Sequence, residues 1–275
     1  MSYQSKKTKS IKQSGSTRVR SHISNILLAV AIPVLAIVLW FLASAHKWIN
    51  PSILPSPEKV WASLLKLIDN GSLKKSILSS LGRVVRGYFI GLSVGLLVGI
   101  LASLSDVVYK LIQAPVGIIR PIPAIALIPF FILWMGIGEK SKIAIIAFGT
   151  FWPVLLNTIA GMRSTDPKLM EVGRMLEKNY FEILFRIVIP SALPSIFTGI
   201  RLGMSSAWTC VVAAEMIAAS SGIGFLITSS REMSQPASLF VGIAVIGIFG
   251  LIIDLGFTKL GDRLIFWKKT AEVKN

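Results

Sequence analysis

Four ionisable residues stand where an apolar chain has least use for them. Arg120 opens the run RPIPAIALIPFFILWMGIG, Arg201 and Glu215 lie within ALPSIFTGIRLGMSSAWTCVVAAEMI, and Asp254 interrupts GIFGLIIDLGF. A charge in hydrocarbon is costly, so such residues face a bundle interior or a water-filled cavity and pair with something. Two chemistries fit them. Either the arginines attract an anionic substrate along a pathway, or they are neutralised by Asp254, Glu215 or helix C-terminal carbonyls; neutralisation is the favoured reading. Pro121, Pro123 and Pro129 follow Arg120 closely, and each removes a backbone donor and clashes with the turn before it. A straight helix is therefore not expected there. Breaks of this kind are tolerated where neighbouring helices or water re-satisfy the backbone, so Arg120, Pro121 and Pro123 join Arg201, Glu215 and Asp254 as pathway-lining residues.

Other chemistries fail at the level of spacing. GIGEKSK at 136–142 lacks the G-x-x-x-x-G-K-[ST] order of a phosphate loop, because Glu139 stands between Gly138 and Lys140. His22 and His46 flank an apolar run without acids beside them, so no metal site is expected. Cys210 is the one cysteine, which excludes an intrachain disulfide and leaves the redox compartment open. No nucleophile, base and acid converge, so the chain is read as a non-enzyme with no cofactor.

The elements that must position these residues follow from composition. Of 275 residues 53% are hydrophobic and 15% charged, with a mean hydropathy of +0.70, too apolar for a soluble domain. A spanning helix needs about 20 mostly apolar residues, and six segments qualify: approximately 25–45, 84–104, 112–137, 143–162, 190–217 and 238–258. The expected fold is all-α, a polytopic membrane bundle of six spans. Gly91, Gly95 and Gly99 lie four apart in the second span, a spacing that lets two helix backbones approach closely. Residues 47–82 are read as an outer segment, in which a Pro-rich turn precedes a short amphipathic helix carrying Val60, Leu64, Leu67 and Ile68.

The net charge of +16 is concentrated at the ends. With a cytoplasmic N-terminus, inside segments hold 17 Lys and Arg and outside segments 10, which favours both termini inside. Residues 1–22 and 268–275 are then basic cytoplasmic tails around a membrane domain at 23–267. The charge fits anionic lipid rather than nucleic acid, since no basic soluble module is present. LASAHK after the first span resembles a signal cleavage site, but the apolar stretch is long for a signal core and five more spans follow.

One charged stretch, EVGRMLEKNYFEILFRIVIPSALP at 171–194, sits between apolar runs and is cytoplasmic by the six-span count. Thr165 or Asp166 caps a helix with Pro167 in its first turn. Leu169, Val172 and Leu176 share one face and Glu171, Arg174 and Lys178 another. Asn179 and Glu182 have the spacing of a capping box, predicting a turn and a second short helix through Val188.

Here the sequence resembles the membrane subunits of binding-protein-dependent ATP-binding-cassette (ABC) importers. Their signature reads E-A-A, a Gly four residues on, and I-x-L-P about nine residues beyond. Glu171, Val172 and Gly173 occupy E-A-A, Glu177 stands at the Gly, and Ile187, Ile189 and Pro190 match I-x-L-P. The upstream RPIPAIALIPFFILWMGIGEKSKI and the downstream ALPSIFTGIRLGMSSAWTCVVAAEMI look like the subgroup importing sulfonates, taurine or nitrate, and the likeness covers about residues 54–267. The resemblance implies that 163–189 is a coupling helix-turn-helix between spans four and five. Its polar face would dock on separate cytoplasmic ATPase subunits and its apolar face would hold the membrane helices. It further implies an external substrate-binding protein, a second permease copy as a homodimer, a small-anion substrate and a bacterial cell membrane. Glu177 departs from the turn Gly, which leaves Lys178 or Asn179 to take φ > 0 or lengthens the helix. Gly173 in place of Ala loosens the helix by up to about 1 kcal/mol, at a point where close approach to the ATPase groove is expected. A self-contained secondary transporter or channel is the alternative, although inverted repeats with paired broken helices are not evident.

Overall fold

The computed structural model describes residues 31–46 and 48–265. The basic tails, His22 and the start of the first predicted span lie outside the described residues. Every regular element among those described is helical. The chain divides at residue 62 into two compact units. In the first, α1 (Ala31–Ala45) is a short apolar helix, and Trp40 Nε1 donates to Pro55 O at 3.0 Å. A second helix, α2 (Pro57–Asp69), follows the Pro-rich turn, as its amphipathic pattern predicts.

The second unit is built around three long helices, α3 (Ser72–Leu104), α6 (Glu139–Arg163) and α9 (Ile189–Ala218). The sequence places the second span at 84–104, yet α3 starts twelve residues earlier. Hydropathy sees only the apolar part; the helix itself begins where Asn70 Oδ1 accepts from Ser72 N at 2.9 Å and runs on through Lys74 and Lys75, which stay exposed. The third predicted span is broken. α4 (Asp106–Ile119) and the segment Ala124–Met135, which contains α5 (Ile128–Met135), meet at 84° across Arg120–Pro123. Pro121 and Pro123 supply no N–H for a continuing helix, and both are exposed at the corner.

Beyond α6, α7 (Pro167–Met175) and α8 (Tyr180–Ile183) form the charged insert. A π-helical turn, Leu184–Val188, carries α8 directly into α9, so the second short helix is not a separate element. Pro190 explains the wide turn: its missing N–H leaves the ordinary i→i−4 bond unmade. After α9, α10 (Ile223–Glu232) is an element that the span count missed, and α11 (Pro236–Leu264) closes the unit.

α6 lies along both α3 and α9, and small residues make that possible. A Cβ added at Gly87 would stand 2.6 Å from Ile146, at Gly95 3.0 Å from Phe151 O and at Gly99 2.8 Å from Thr158, and one at Gly91 would enter the Ala147 carbonyl. On the other side of α6, a Cβ at Gly199 would stand 2.7 Å from Asn157 and 2.9 Å from Pro153 O. Thr150 and Thr158, fully buried, donate to Ile146 O at 2.8 Å and Val154 O at 2.7 Å, so neither hydroxyl is left unpaired in the seam. The outer faces are the reverse, with Leu78, Phe89, Leu97, Leu251, Ile252 and Leu255 exposed. Apolar surface of that extent belongs in lipid, and the chain is a polytopic membrane helical bundle. Among the described residues, four helical runs, α3, α6, the run Tyr180–Glu232 and α11, are long and apolar enough to cross a membrane, and five if the bent pair is one span.

The seam gives a direct expectation. Gly91→Ala drives a methyl into the α6 backbone and should lower stability by about 1–3 kcal/mol, as overpacking does. Gly82→Ala, whose Cβ would meet only Arg86 Nη2 at 3.9 Å, should be neutral or stabilising by up to about 1 kcal/mol. Thermal melts of the two purified variants in detergent separate the outcomes.

Candidate functional site

The charged insert starts with Asp166, whose carboxylate accepts from Lys168 N at 2.9 Å. Thr165 does not cap; its hydroxyl is buried without a partner. α7 then ends in a Schellman arrangement: Lys178 N donates to Gly173 O at 3.1 Å and Glu177 N to Arg174 O at 2.9 Å. The residue that turns left-handed is Glu177 itself, with φ 55°, rather than Lys178 or Asn179. An L-residue adopts that geometry at a cost of about 1–2 kcal/mol, and the two closing hydrogen bonds offset part of it. Asn179 and Glu182 form the reciprocal capping box, Glu182 N donating to Asn179 Oδ1 at 2.8 Å and Asn179 N to Glu182 Oε2 at 3.3 Å.

The faces of α7 are the opposite of the expectation. Gly173 is its buried residue, and a Cβ there would stand 2.9 Å from Ile187 and 3.1 Å from Ile183. Gly173 therefore seats α7 on the start of the long α8–α9 run and does not face a docking groove. Leu169, Val172, Met175 and Leu176 are exposed, Met175 at 82%, and so are Tyr180, Phe181 and Phe185 just beyond the turn. Glu171, Arg174 and Lys178 are exposed as well. Lys178 pairs with Glu182 at 3.3 Å. Among the described residues this apolar face stays largely exposed. Beside it, Arg163 ties α6 to the corner of α3 and α4, donating to Asp106 at 2.7 Å and lying 3.8 Å over the Tyr109 ring.

The intramembrane charges sort into two groups. Arg201 and Asp254 form a bidentate pair between α9 and α11, Nε to Oδ1 at 2.9 Å and Nη2 to Oδ2 at 2.8 Å, half exposed in a groove with Thr198 and Ser205. Glu215 is partner to neither Arg201 nor Arg120. Its carboxylate is 1% exposed as a residue and takes Arg83 Nη1 at 2.6 Å, Ser80 Oγ at 2.8 Å and Gly224 N at 3.0 Å. Gly222 lies against it with φ +118°, and a Cβ at that position would overlap the carboxylate. So enclosed, Glu215 presents no face to a pathway. Arg120 is exposed at the α4 corner and has no ion pair among the described residues.

Arg83, which is 3% exposed, was missed as a site residue because hydropathy placed it before the second span. It also donates to Glu139 through Nε at 3.0 Å and Nη2 at 2.7 Å, to Ser221 O at 2.6 Å and to Ser221 Oγ at 2.9 Å. Glu139 also pairs with Lys142 at 3.3 Å and with Arg86 at 3.6 Å. The signal that finds Arg83 is the helical spacing Ser76, Ser80, Arg83, Gly87, Gly91, which puts it on the buried seam of α3.

Long apolar-faced helices, glycine-packed seams and a helix pair broken at prolines together define a polytopic membrane protein. Residues 87–265 match the family described as the binding-protein-dependent transport system inner membrane component. The chain is 34% identical over 241 residues to SsuC of Bacillus subtilis (strain 168), a permease protein named for aliphatic sulfonates transport, covering 88% of this chain and 87% of that one. It is 32% identical over 247 residues to the taurine transport system permease protein TauC of Escherichia coli (strain K12), covering 88% and 90%. A solved inward facing structure of the MetNI methionine ABC transporter superimposes with a TM-score of 0.62 at 18% identity, covering 70% of this chain and 96% of that one. The chain belongs to this family and is a permease subunit of an ABC import system, working with ATPase and substrate-binding partners.

The two charge groups should respond differently to truncation. Arg83→Met strands the buried Glu215 carboxylate and should cost about 3–5 kcal/mol, with part recovered in Arg83→Met/Glu215→Gln. Arg201→Met, whose partner remains half solvated, should cost clearly less. Melting temperatures of the four proteins decide it; equal losses from both arginines would contradict the ranking.

Proposed function

We propose that this chain forms the translocation pathway for a small anion such as an aliphatic sulfonate, taurine or nitrate, as a homodimer in a bacterial cell membrane. Separate ATPase subunits engage α7 and α8, and an external binding protein delivers substrate to the opposite end. The observation that carries the reading is the apolar surface Leu169, Val172, Met175, Leu176, Tyr180 and Phe181, exposed on an extramembrane helix pair and ringed by charge. A patch of that kind marks an interaction surface, and its aromatic and Met content matches the core of protein interfaces. Docking here is led by apolar burial, with Glu171, Arg174, Glu177 and Lys178 at the rim, where charges mainly set orientation and encounter rate. The names of SsuC and TauC support the anion class.

Met175→Asp should leave insertion and melting temperature intact, because its side chain is exposed among the described residues. It should strip the ATPase subunits from the purified permease, since truncating a central apolar anchor costs an interface about 2 kcal/mol or more. Glu171→Arg/Arg174→Glu should weaken retention less. Full retention and full substrate-stimulated ATP hydrolysis in Met175→Asp would remove α7 from the interface.

Orientation rests on the Lys and Arg distribution, which puts both termini and 163–189 in the cytoplasm and 47–82 outside. Single cysteines at Ser56 and at Lys178 in a Cys210→Ala background, exposed to an impermeant thiol reagent on intact cells, should label at 56 only. Labelling at 178 alone would invert the topology.

A further inference from the structure

A cavity of about 270 Å³ lies between the first turns of α3, the α9–α10 turn and the α10–α11 corner. It falls below the roughly 300–1,000 Å³ of pockets for drug-sized ligands, so any occupant is small. Seven of its thirteen lining residues are serines, Lys75 stands on its wall, and no carboxylate lines it. Ser76 and Ser230 are 9% and 3% exposed, and neither hydroxyl has a hydrogen-bond partner among the described residues. Nor are those oxygens sealed in protein, as the Thr165 hydroxyl is; what they reach is the cavity. Buried hydroxyls are normally paired, so two that open onto one space mark it as a place for a polar guest.

The wall is also preset. Arg83 fixes Ser221 through its carbonyl at 2.6 Å and its hydroxyl at 2.9 Å, and Ile223 N donates to Ser80 Oγ at 2.9 Å. The turn carrying Ser220 and Ser221 is thus held before anything binds, which lowers the ordering cost of binding. We propose that this cavity is a binding site for a small oxyanion. Hydroxyl O–H groups and one ammonium are donors to an anion's oxygens, and the absence of lining carboxylates disfavours a cation. The Arg201–Asp254 groove offers no such surplus, because its guanidinium is already spent on Asp254. That the guest is also the transported anion rests on the function proposed above; the site itself does not.

The test uses the permease with its ATPase subunits in phosphatidylcholine nanodiscs, titrated calorimetrically with inorganic sulfate and with methanesulfonate. Saturable binding of at least one probe is expected, weakened about tenfold or more by Ser230→Val and by Lys75→Gln, whose side chain is exposed and whose loss cannot unfold the core. Arg201→Met should leave the affinity unchanged. No binding by the wild type overturns the proposal, and so does equal affinity in Lys75→Gln and Ser230→Val, or a loss found only in Arg201→Met. Phospholipid that native mass spectrometry finds retained in a Ser230-dependent way, and that methanesulfonate does not displace, would assign the cavity to a lipid headgroup and overturn it as well. ATPase retention measured on the same samples keeps the two readings apart: it can fail while oxyanion binding stands, or hold while binding fails.

Discussion

Taking a guanidinium out of water costs several kcal/mol unless its donors all meet acceptors. Arg83 has five N–H groups, and Glu139, Glu215, Ser221 O and Ser221 Oγ together take all five. Because these acceptors come from α6, α9 and the turn after α9, satisfying one side chain fixes three segments against α3. Two carboxylates around one guanidinium leave negative charge to balance. Lys142 and Arg86 supply the balance at Glu139, while Ser80 Oγ and Gly224 N serve Glu215. Gly222 follows from the same constraint, since a side chain there would displace the Glu215 carboxylate.

The rest of the bundle depends on that pin because lipid gives helices no hydrophobic reason to associate. Their contacts are van der Waals and polar, and small residues let the backbones come close enough to benefit. The glycines of α3 and α9 press on opposite sides of α6, so the seam is tight on both flanks but nearly featureless along its length. A seam of small residues alone permits a helix to slide by one turn. Arg83, placed at one end of it, sets the register.

The sequence shows the apolar runs plainly, and with them the positions of α6, α9 and α11 and the break at Pro121 and Pro123. Helix ends are less legible: α3 continues through Lys74, Lys75 and Arg83 because a helix stops at its caps and not where hydropathy falls. α10 is too short and too serine-rich to register as a span. For α7 the periodicity is correct but the sidedness inverted. Amphipathicity says that two faces differ, and assigning the apolar one inward assumes that the partner surface is in the same chain. Gly173 was the clue, since a residue without a side chain at the helix centre is what close packing on Ile183 and Ile187 requires. The Arg201–Asp254 pair was among the legible alternatives. Glu215 was assigned to the wrong arginine because its partner, Arg83, is 132 residues away in sequence.

In the proposed coupling, what happens to a push on α7 and α8 depends on which contacts yield first. No loop separates α8 from α9: the π turn at Leu184–Val188 is continuous helix, so displacement passes along the axis of α9 instead of dissipating in a hinge. α9 is held to α6 along the glycine seam and to α3 through Glu215 and Arg83, contacts that are buried and lose everything when separated. To α11 it is held by fewer contacts and by Arg201–Asp254, whose charges are already half solvated and can exchange partners with water at small cost. Packed interfaces shift between discrete arrangements and do not stretch. On the proposed coupling, movement would therefore cost least at the α9–α11 boundary, where the half-solvated Arg201–Asp254 pair and the bond from Trp208 Nε1 to Ile246 O at 3.3 Å are the contacts to be exchanged.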